Sequence, residues 1–284
     1  MKRLAVIGGS GLYEMAGLEG VERVRVGTPF GDPSDEIVRG RLGEVELFFL
    51  PRHGRGHRLL PGEINYRANI FALKQLGAEW LLSVAAVGSL RLEIEPGHLV
   101  VPDQFIDRTA GRPSTFFGRG IVAHVALADP VCSTLTAAVY EAARSAGGTV
   151  HGGGTYLCME GPQFSTRAES HMYRAWGADV IGMTNWQEAK LAREAEICFA
   201  TLALASDYDC WNEDHRDVSI DDILRILAAN VELARKSVAE LARRLPAQRA
   251  CACASALQNA IITDRAMIPE KVKAELAPLI GKYV

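Results

Sequence analysis

The chain has 284 residues, 48% of them hydrophobic and 23% charged, with a formal net charge of −3 at pH 7. That balance fits a globule with a sizeable core, built as one large α/β domain or two small ones. Both charge signs are spread along the chain without a long basic run, which argues against a nucleic-acid surface, and the apolar stretch Leu81–Leu90 is too short to cross a bilayer.

The opening Met-Lys-Arg-Leu-Ala-Val-Ile-Gly-Gly reads as a strand, Leu4–Ile7, running into a glycine turn. A secretory leader would need a longer apolar region and a small-residue cleavage site, so a cytoplasmic protein is expected. In Gly8-Gly9-Ser10-Gly11, backbone amides and one hydroxyl can approach an anion closely. This is not a dinucleotide fingerprint, because the sixth position counted from Gly9 is Glu14, and no Lys-Ser/Thr follows to make a P-loop. By itself, a plain turn fits as well as an anion site.

Short strands are expected at Val24–Val26, Ile37–Arg39 and Val45–Leu50, followed by Pro51-Arg-His-Gly-Arg-Gly-His-Arg58. Two histidines four apart suggest a metal, but the arginines among them would repel a cation. An anion site is the better reading, with Arg52 forking to phosphate oxygens and His53 donating beside it. A solvated basic loop is the alternative.

Apolar spacing predicts a helix over Asn65–Leu76, then buried strands at Leu81–Val87, ending in Gly88-Ser89-Leu90, and at Leu99–Val101. The Gly-, Pro- and Phe-rich segment through Gly120 is long for a connection and suggests a lid or a subunit contact. His124 follows in an apolar setting, where a single histidine is more often a satisfied buried one than a working one. A helix is predicted over Pro130–Ala146, closed by Gly147-Gly148. Strand Thr155–Met159 leads to Glu160-Gly-Pro-Gln-Phe-Ser-Thr-Arg167, where Thr166 and Glu169 form a capping box. Phe164 therefore sits on a strand-to-helix turn, where its ring could stack on a flat ligand.

A strand at Val180–Met183 ends in Thr184, and a helix over Glu188–Ala195 leads to the continuous apolar run from Ile197. That run is the pattern of a strand buried on both faces, and it delivers Asp207 and Asp209 at its end. If the backbone stays extended the two share one face, at the sheet edge where ligands bind in open α/β folds. Two acids on a buried edge suit a base carrying an amino group and a basic ring nitrogen; a polar turn is the plain alternative. Ser219 and Asp222 start a long amphipathic helix through Arg244, and the alanine-rich remainder ends in a helix from about Pro269. No repeat or linker appears. The expectation is one domain over 1–284, with a core of about 1–245 and a helical segment 246–284, built on a mixed, mostly parallel sheet flanked by helices.

The six cysteines, at 132, 158, 198, 210, 251 and 253, form no Cys-x-x-Cys pair, so neither a zinc site nor a thioredoxin-type motif is supported. Cys132, Cys158 and Cys198 read as buried thiols. Cys251-Ala-Cys253 leaves a disulfide open, although reduced thiols are expected.

Several motifs in this order, Ile-Gly-Gly-Ser-Gly-Leu, Arg-His-Gly-Arg-Gly-His, Glu-Gly-Pro-Gln-Phe-Ser-Thr-Arg-Ala-Glu-Ser, Gly-Met-Thr and Ser-Asp-Tyr-Asp-Cys-Trp, resemble the methylthioadenosine phosphorylases of the trimeric purine nucleoside phosphorylase family. The resemblance covers roughly residues 1–245. It implies an α/β phosphorylase fold and a homotrimer, or a hexamer of two trimers, with sites near subunit interfaces. It also implies cleavage of a purine nucleoside by inorganic phosphate as co-substrate, without metal or organic cofactor. Carried over by position, Ser10, Arg52, His53, Ala86 and Thr184 would hold phosphate, Met183 would line the ribose, and Phe164 with Ser165 would border the base. Asp207 and Asp209 would bind purine N7 and the 6-amino group. His124 would be lent by a neighbouring subunit to a 5′ pocket walled by Ile220 and Ile223. Because breaking the glycosidic bond leaves negative charge on the purine, Asp207 is expected to be protonated, its pKa raised by burial and by the Asp209 charge.

Two departures stand out. Ala85 replaces a threonine usual in the family, and Asn185-Trp186-Gln187 replaces a proline-containing turn. The first removes one phosphate hydroxyl; the second keeps open a broader phosphorylase acting on adenosine or 6-oxopurine nucleosides. A nucleoside-binding regulator is a further alternative, disfavoured by the retained phosphate residues, and the failed fingerprint disfavours a nicotinamide oxidoreductase.

Overall fold

In a computed structural model of the chain, residues 1–9, 11–212 and 220–284 are described, apart from the side chains of 220–224. A single 11-stranded sheet organises the described residues. Its strands are β1 (Lys2–Gly8), β2 (Glu19–Val24), β3 (Ile37–Leu42), β4 (Val45–Pro51), β5 (Trp80–Ser89), β6 (Leu99–Val101), β7 (Gln104–Arg108), β8 (Val150–Gly152), β9 (Thr155–Met159), β10 (Val180–Gly182) and β11 (Cys198–Asp207). They run in the order β2-β3-β4-β1-β5-β10-β9-β7, with β11 pairing β5 and β6, and β6 also pairing β8. The sheet is mixed and mostly parallel, as expected. Strands β4, β1, β5 and β11 form its parallel centre, with Gly8 opposite Pro51, Ile7 opposite Ser83, and Asp207 opposite Gly88. Four strand ends therefore open on one edge.

The centre reads as unbroken apolar runs because helices cover both faces. On one face Ala5, Ile7, Leu81 and Phe199 pack with α1 (Tyr66–Gln75) and α4 (Asn185–Glu194). On the other, Leu4, Val6, Leu82 and Leu202 pack with α2 (Ser133–Ser145) and α5 (Ile220–Arg244). Helix α3 (Arg167–Ala175) begins at the expected capping box, with Thr166 and Glu169 bonding reciprocally. Near the end lie α6 (Glu270–Glu275) and α7 (Ala277–Ile280).

Several boundaries differ from the sequence reading. Strand β5 continues through the expected turn at Gly88-Ser89, because β11 and β10 pair with it on either side there. Helix α4 starts at Asn185 rather than Glu188, and Ser219 lies outside the described residues. The long segment before Gly120 carries strand β7 and is pinned to the body rather than hanging as a flap. Phe116 is buried between Phe30 and Phe71, while the Thr115 hydroxyl and the Phe116 amide both donate to the Glu194 carboxylate at 2.7 Å. Burial pushes the Glu194 carboxyl up to about 7.

The segment after Arg244 folds back onto the sheet through one buried carboxylate. Glu196 accepts from the Leu257 amide at 3.0 Å and the Tyr283 hydroxyl at 2.5 Å, and pairs with Lys282 at 2.6 Å. The same segment lies along residues 122–124, where Ile262 N donates to Val122 O and His124 N donates to Ala260 O, each at 2.9 Å.

Glycine is required at 182, where an added Cβ would stand 1.9 Å from the Tyr156 hydroxyl oxygen. That hydroxyl is buried and bonds to nothing among the described residues. Gly182→Ala is expected to cost about 1–3 kcal/mol of stability by overpacking, and Tyr156→Phe to be neutral or stabilising by removing an unpaired polar group. Chemical denaturation of both variants and of the double mutant checks this; Tyr156→Phe should relieve part of the Gly182→Ala loss.

Candidate active site

The predicted site residues that can be placed, His124 apart, gather about the edge where the parallel strands end. Gly9 leaves β1 with open space around its Cα, Arg52 and His53 follow β4, and Ala86 lies within β5. Ala86 is exposed inside a strand that is otherwise almost wholly buried, so the sheet is open to a ligand there. Beyond β10, Met183 and Thr184 run back beside β5, and the Asn185 amide reaches the Ser83 hydroxyl at 2.7 Å. Thr184 is buried and precedes α4, yet its side chain caps no helix amide. Its hydroxyl stays available to a ligand. Ser10 lies outside the described residues, as do the side chains of Ile220 and Ile223.

The Arg52 guanidinium is turned inward rather than presented as an open fork. Its guanidinium is buried and forms a two-pronged pair with Glu188, at 2.5 and 3.0 Å. It also donates to Val84 O at 2.9 Å, Ile7 O at 3.3 Å and Ser83 Oγ at 2.7 Å. Each of its three nitrogens thus holds a protein acceptor. Around the pair, Ser83 donates to Glu188 at 2.5 Å, and Thr201 donates to Asn185 at 2.6 Å. A basic loop reads as outward-facing in sequence; here an acid 136 positions later draws the guanidinium inward. Ser83, Glu188 and Thr201 were not singled out from sequence, and Asn185 was noted only as part of an altered turn, since nothing local marks them as partners.

His53 also departs from its expected donor role. Its Nδ1 lies 2.8 Å from the Leu59 carbonyl, an acceptor only, so Nδ1 carries the proton and Nε2 presents a lone pair. Burial, followed by the charges of Arg52 and His57, pulls its pKa down to about 4 against the Leu59 bond, which favours the charged form. The ring stacks on His57 with centroids 4.1 Å apart.

The aspartates stay together by a route other than extended backbone. The β5–β11 register slips between Ala205 and Asp207, the strand ends there, and Asp209 takes a left-handed conformation with φ 51°. Its amide folds back to Asp207 Oδ1 at 2.7 Å, while Ser206 Oγ donates to Asp207 Oδ2 at 2.7 Å. Both acids crowd Gly88, whose added Cβ would stand 3.1 Å from Asp207 Oδ1 and 3.3 Å from Asp209 Cβ. The expectation of a buried Asp207 is not met, because its side chain is exposed at the strand end. Burial raises the Asp209 carboxyl, and the Asp207 charge raises it further.

Phe164 is 83% exposed on its turn, and Ser165 is linked to the aspartate loop by the Cys210 thiol, which donates to its carbonyl at 3.3 Å. Arg112, also missed in sequence, ties this turn to the Met183 backbone. It pairs with the Glu160 carboxylate at 3.0 Å, donates to the Glu160 carbonyl, and donates to the Met183 carbonyl at 2.5 Å. In the altered turn, Trp186 stacks on Phe105 at 5.0 Å and Gln187 donates to Thr109 at 2.8 Å. His124 is exposed beside Val122 and Ile262 rather than buried in the apolar setting its neighbours suggested.

Residues 3–245 match the model of the phosphorylase superfamily. The chain belongs to this superfamily. It is similar over 99% of its length to S-methyl-5′-thioadenosine phosphorylases of Geobacter sulfurreducens, at 61% identity over 99% of that protein, and of Koribacter versatilis, at 56% identity over 96%. Among solved structures, a methylthioadenosine phosphorylase from an antarctic soil metagenomic library superposes with a TM-score of 0.95 at 48% identity, covering 98% of each chain. An adenosine/methylthioadenosine phosphorylase mutant from Schistosoma mansoni, solved with adenine, gives 0.82 at 33% identity, covering 99% of this chain and 98% of that one. The edge that gathers the aspartates, Ala86 and Thr184 is therefore the candidate active site of a phosphorylase-superfamily protein.

Two stability effects follow from these contacts. Glu188→Gln keeps the shape but leaves the Arg52 charge buried and unpaired, and should cost about 3–5 kcal/mol in denaturant unfolding; a loss below about 1 kcal/mol would refute the pair's role. Because folding raises the Asp209 pKa, the protonated carboxyl is favoured in the fold. Its contribution is present below the unfolded-state value and is lost as pH rises through the folded one. Asp209→Asn should therefore be more stable than the parent at neutral pH and lack that fall, as thermal unfolding across pH would show.

Proposed function

We propose that the chain cleaves S-methyl-5′-thioadenosine with inorganic phosphate, releasing adenine and 5-methylthioribose 1-phosphate. The observation that carries this reading is the aspartate pair crowded over Gly88 beside the open strand position Ala86. The pair can address a 6-aminopurine, one carboxyl giving a proton to N7 and the other accepting from the amino group. Asp209 is the member whose surroundings favour holding the proton. The names of the similar proteins point the same way.

Phosphate would lie between the Gly9 turn with Ser10, the Ala86 strand opening and the Thr184 hydroxyl. There it would stabilise positive charge developing on the ribosyl ring and then attack C1′. With Nδ1–H committed to Leu59, neutral His53 offers Nε2 as an acceptor, which suits a phosphate that still carries a proton. Arg52 acts as a positioning residue, holding the ends of β1, β4 and β5 in register. Met183 would line the ribose, with Phe164 and Ser165 bordering the base. No metal or organic cofactor is needed for this transfer. A homotrimer, or a hexamer of two trimers, would bring His124 of a neighbouring subunit to the 5′ pocket beside Ile220 and Ile223. The exposed apolar neighbours Val122 and Ile262 support that face as a subunit contact. No helix among the described residues is long and apolar enough to cross a membrane, and we place the enzyme in the cytoplasm.

Initial rates with methylthioadenosine, adenosine, methylthioinosine and inosine, each with and without phosphate, test the reading. Phosphate-dependent adenine release, fastest with methylthioadenosine, is the expected result. A preference for inosine would overturn the aspartate assignment, and phosphate-independent release would overturn phosphorolysis. Asp207→Asn and Asp209→Asn should each lower kcat/KM on methylthioadenosine by about a hundredfold or more. Only the variant that loses the proton-carrying group should also lose the alkaline limb of the pH–rate profile.

A further inference from the structure

Four of the six cysteines meet at one point. Cys132 precedes α2, Cys198 opens β11, and Cys251 and Cys253 come from the segment after α5. Their Sγ atoms all lie within 4.8 Å of one another. Cys251 Sγ is 3.6 Å from that of Cys132 and 3.3 Å from that of Cys198. A disulfide would hold two sulfurs at about 2.05 Å. Four thiolates around a tetrahedral zinc ion, each at about 2.3 Å, stand about 3.8 Å apart along the edges. The separations of 3.3 and 3.6 Å lie within about 0.5 Å of that edge, and none exceeds 4.8 Å.

We propose that Cys132, Cys198, Cys251 and Cys253 form a tetrathiolate site for a zinc ion. Four soft sulfur donors in a closed tetrahedral set select this class of metal over magnesium or calcium, and leave no open position for a reacting water. Binding converts four thiols to thiolates and releases four protons, so no oxidant is required. Cys132, Cys198 and Cys253 are buried, while Cys251 is only partly so, which gives the ion a way in. Backbone bonds already fix two of the ligands, the Cys132 amide to Phe199 O at 2.8 Å and the Cys198 amide to Glu79 O at 3.0 Å. The absence of a Cys-x-x-Cys pair hid the site, since two ligands lie far from the other two in sequence. Cys198 and Asp207 occupy opposite ends of β11, about 30 Å apart along an extended strand. The ion therefore fastens the segment after α5 to the base of the sheet and takes no part in nucleoside chemistry.

Zinc content of the intact chain, purified under reducing conditions without chelator, should be about one ion per chain by plasma mass spectrometry. After stripping, Co2+ added to the reduced chain should give thiolate-to-cobalt charge transfer and the intense visible bands of a tetrahedral site, saturating at one equivalent. Cys251→Ser should weaken zinc retention by more than the ~10–100-fold typical of outer-sphere changes, whereas Cys158→Ser, outside the cluster, should not alter it. If Cys251→Ser fails to fold, the cobalt titration of the parent chain decides. Reduced parent protein that takes up neither Zn2+ nor Co2+ at one per chain would overturn the site, including the case in which intact mass shows these cysteines bridged before reduction.

Discussion

The buried pair of Arg52 and Glu188 is the constraint on which the rest of the site depends. A guanidinium and a carboxylate, each almost fully removed from water, can coexist only when both are saturated with hydrogen bonds. Saturating Arg52 engages the carbonyls of Ile7 and Val84 and the hydroxyl of Ser83, which belong to β1 and β5, while Arg52 itself follows β4. Glu188 brings in α4, and Asn185 ties that helix to Thr201 of β11. The ion pair, with the Asn185 bonds beside it, thereby ties four strands to the first turn of α4. Thr184, immediately before that helix, is carried along with it.

The aspartate pair has a different basis. Among the described residues, a register slip, a left-handed residue and an amide-to-carboxylate bond turn the chain so that both acids face Gly88. The same geometry separates their environments, one exposed at the strand end and the other partly buried behind it. Two chemically identical groups thus become unequal, as a site that both donates and accepts requires.

How much of this was legible in sequence depends on the distance over which each feature is determined. The apolar run of β11, the capping box at Thr166 and the helix at Asn65 rest on adjacent residues, and all three stand where they were expected. The aspartates were found because they end such a run. The inward turn of Arg52 was not legible, since no local pattern shows that Glu188 lies opposite. The tautomer of His53 depends on the carbonyl of Leu59, six residues on, reached only because the chain turns through Gly54 and Gly56. Arg112 lay in a segment read as a lid or a subunit contact, although it joins the turn at Glu160 to Met183. The meeting of the four cysteines escaped notice for the same reason as Glu188.

Glu196 bears on how the chain is made. It sits at 2% exposure, and the groups that satisfy its carboxylate include Tyr283, 87 positions further on. While the chain is still emerging from the ribosome, strand β11 can be complete and its flanking acid still without Lys282 and Tyr283. A buried carboxylate in that condition favours water over the protein interior. Closure of the sheet at this flank therefore depends on residues that lie up to 87 positions downstream in the chain.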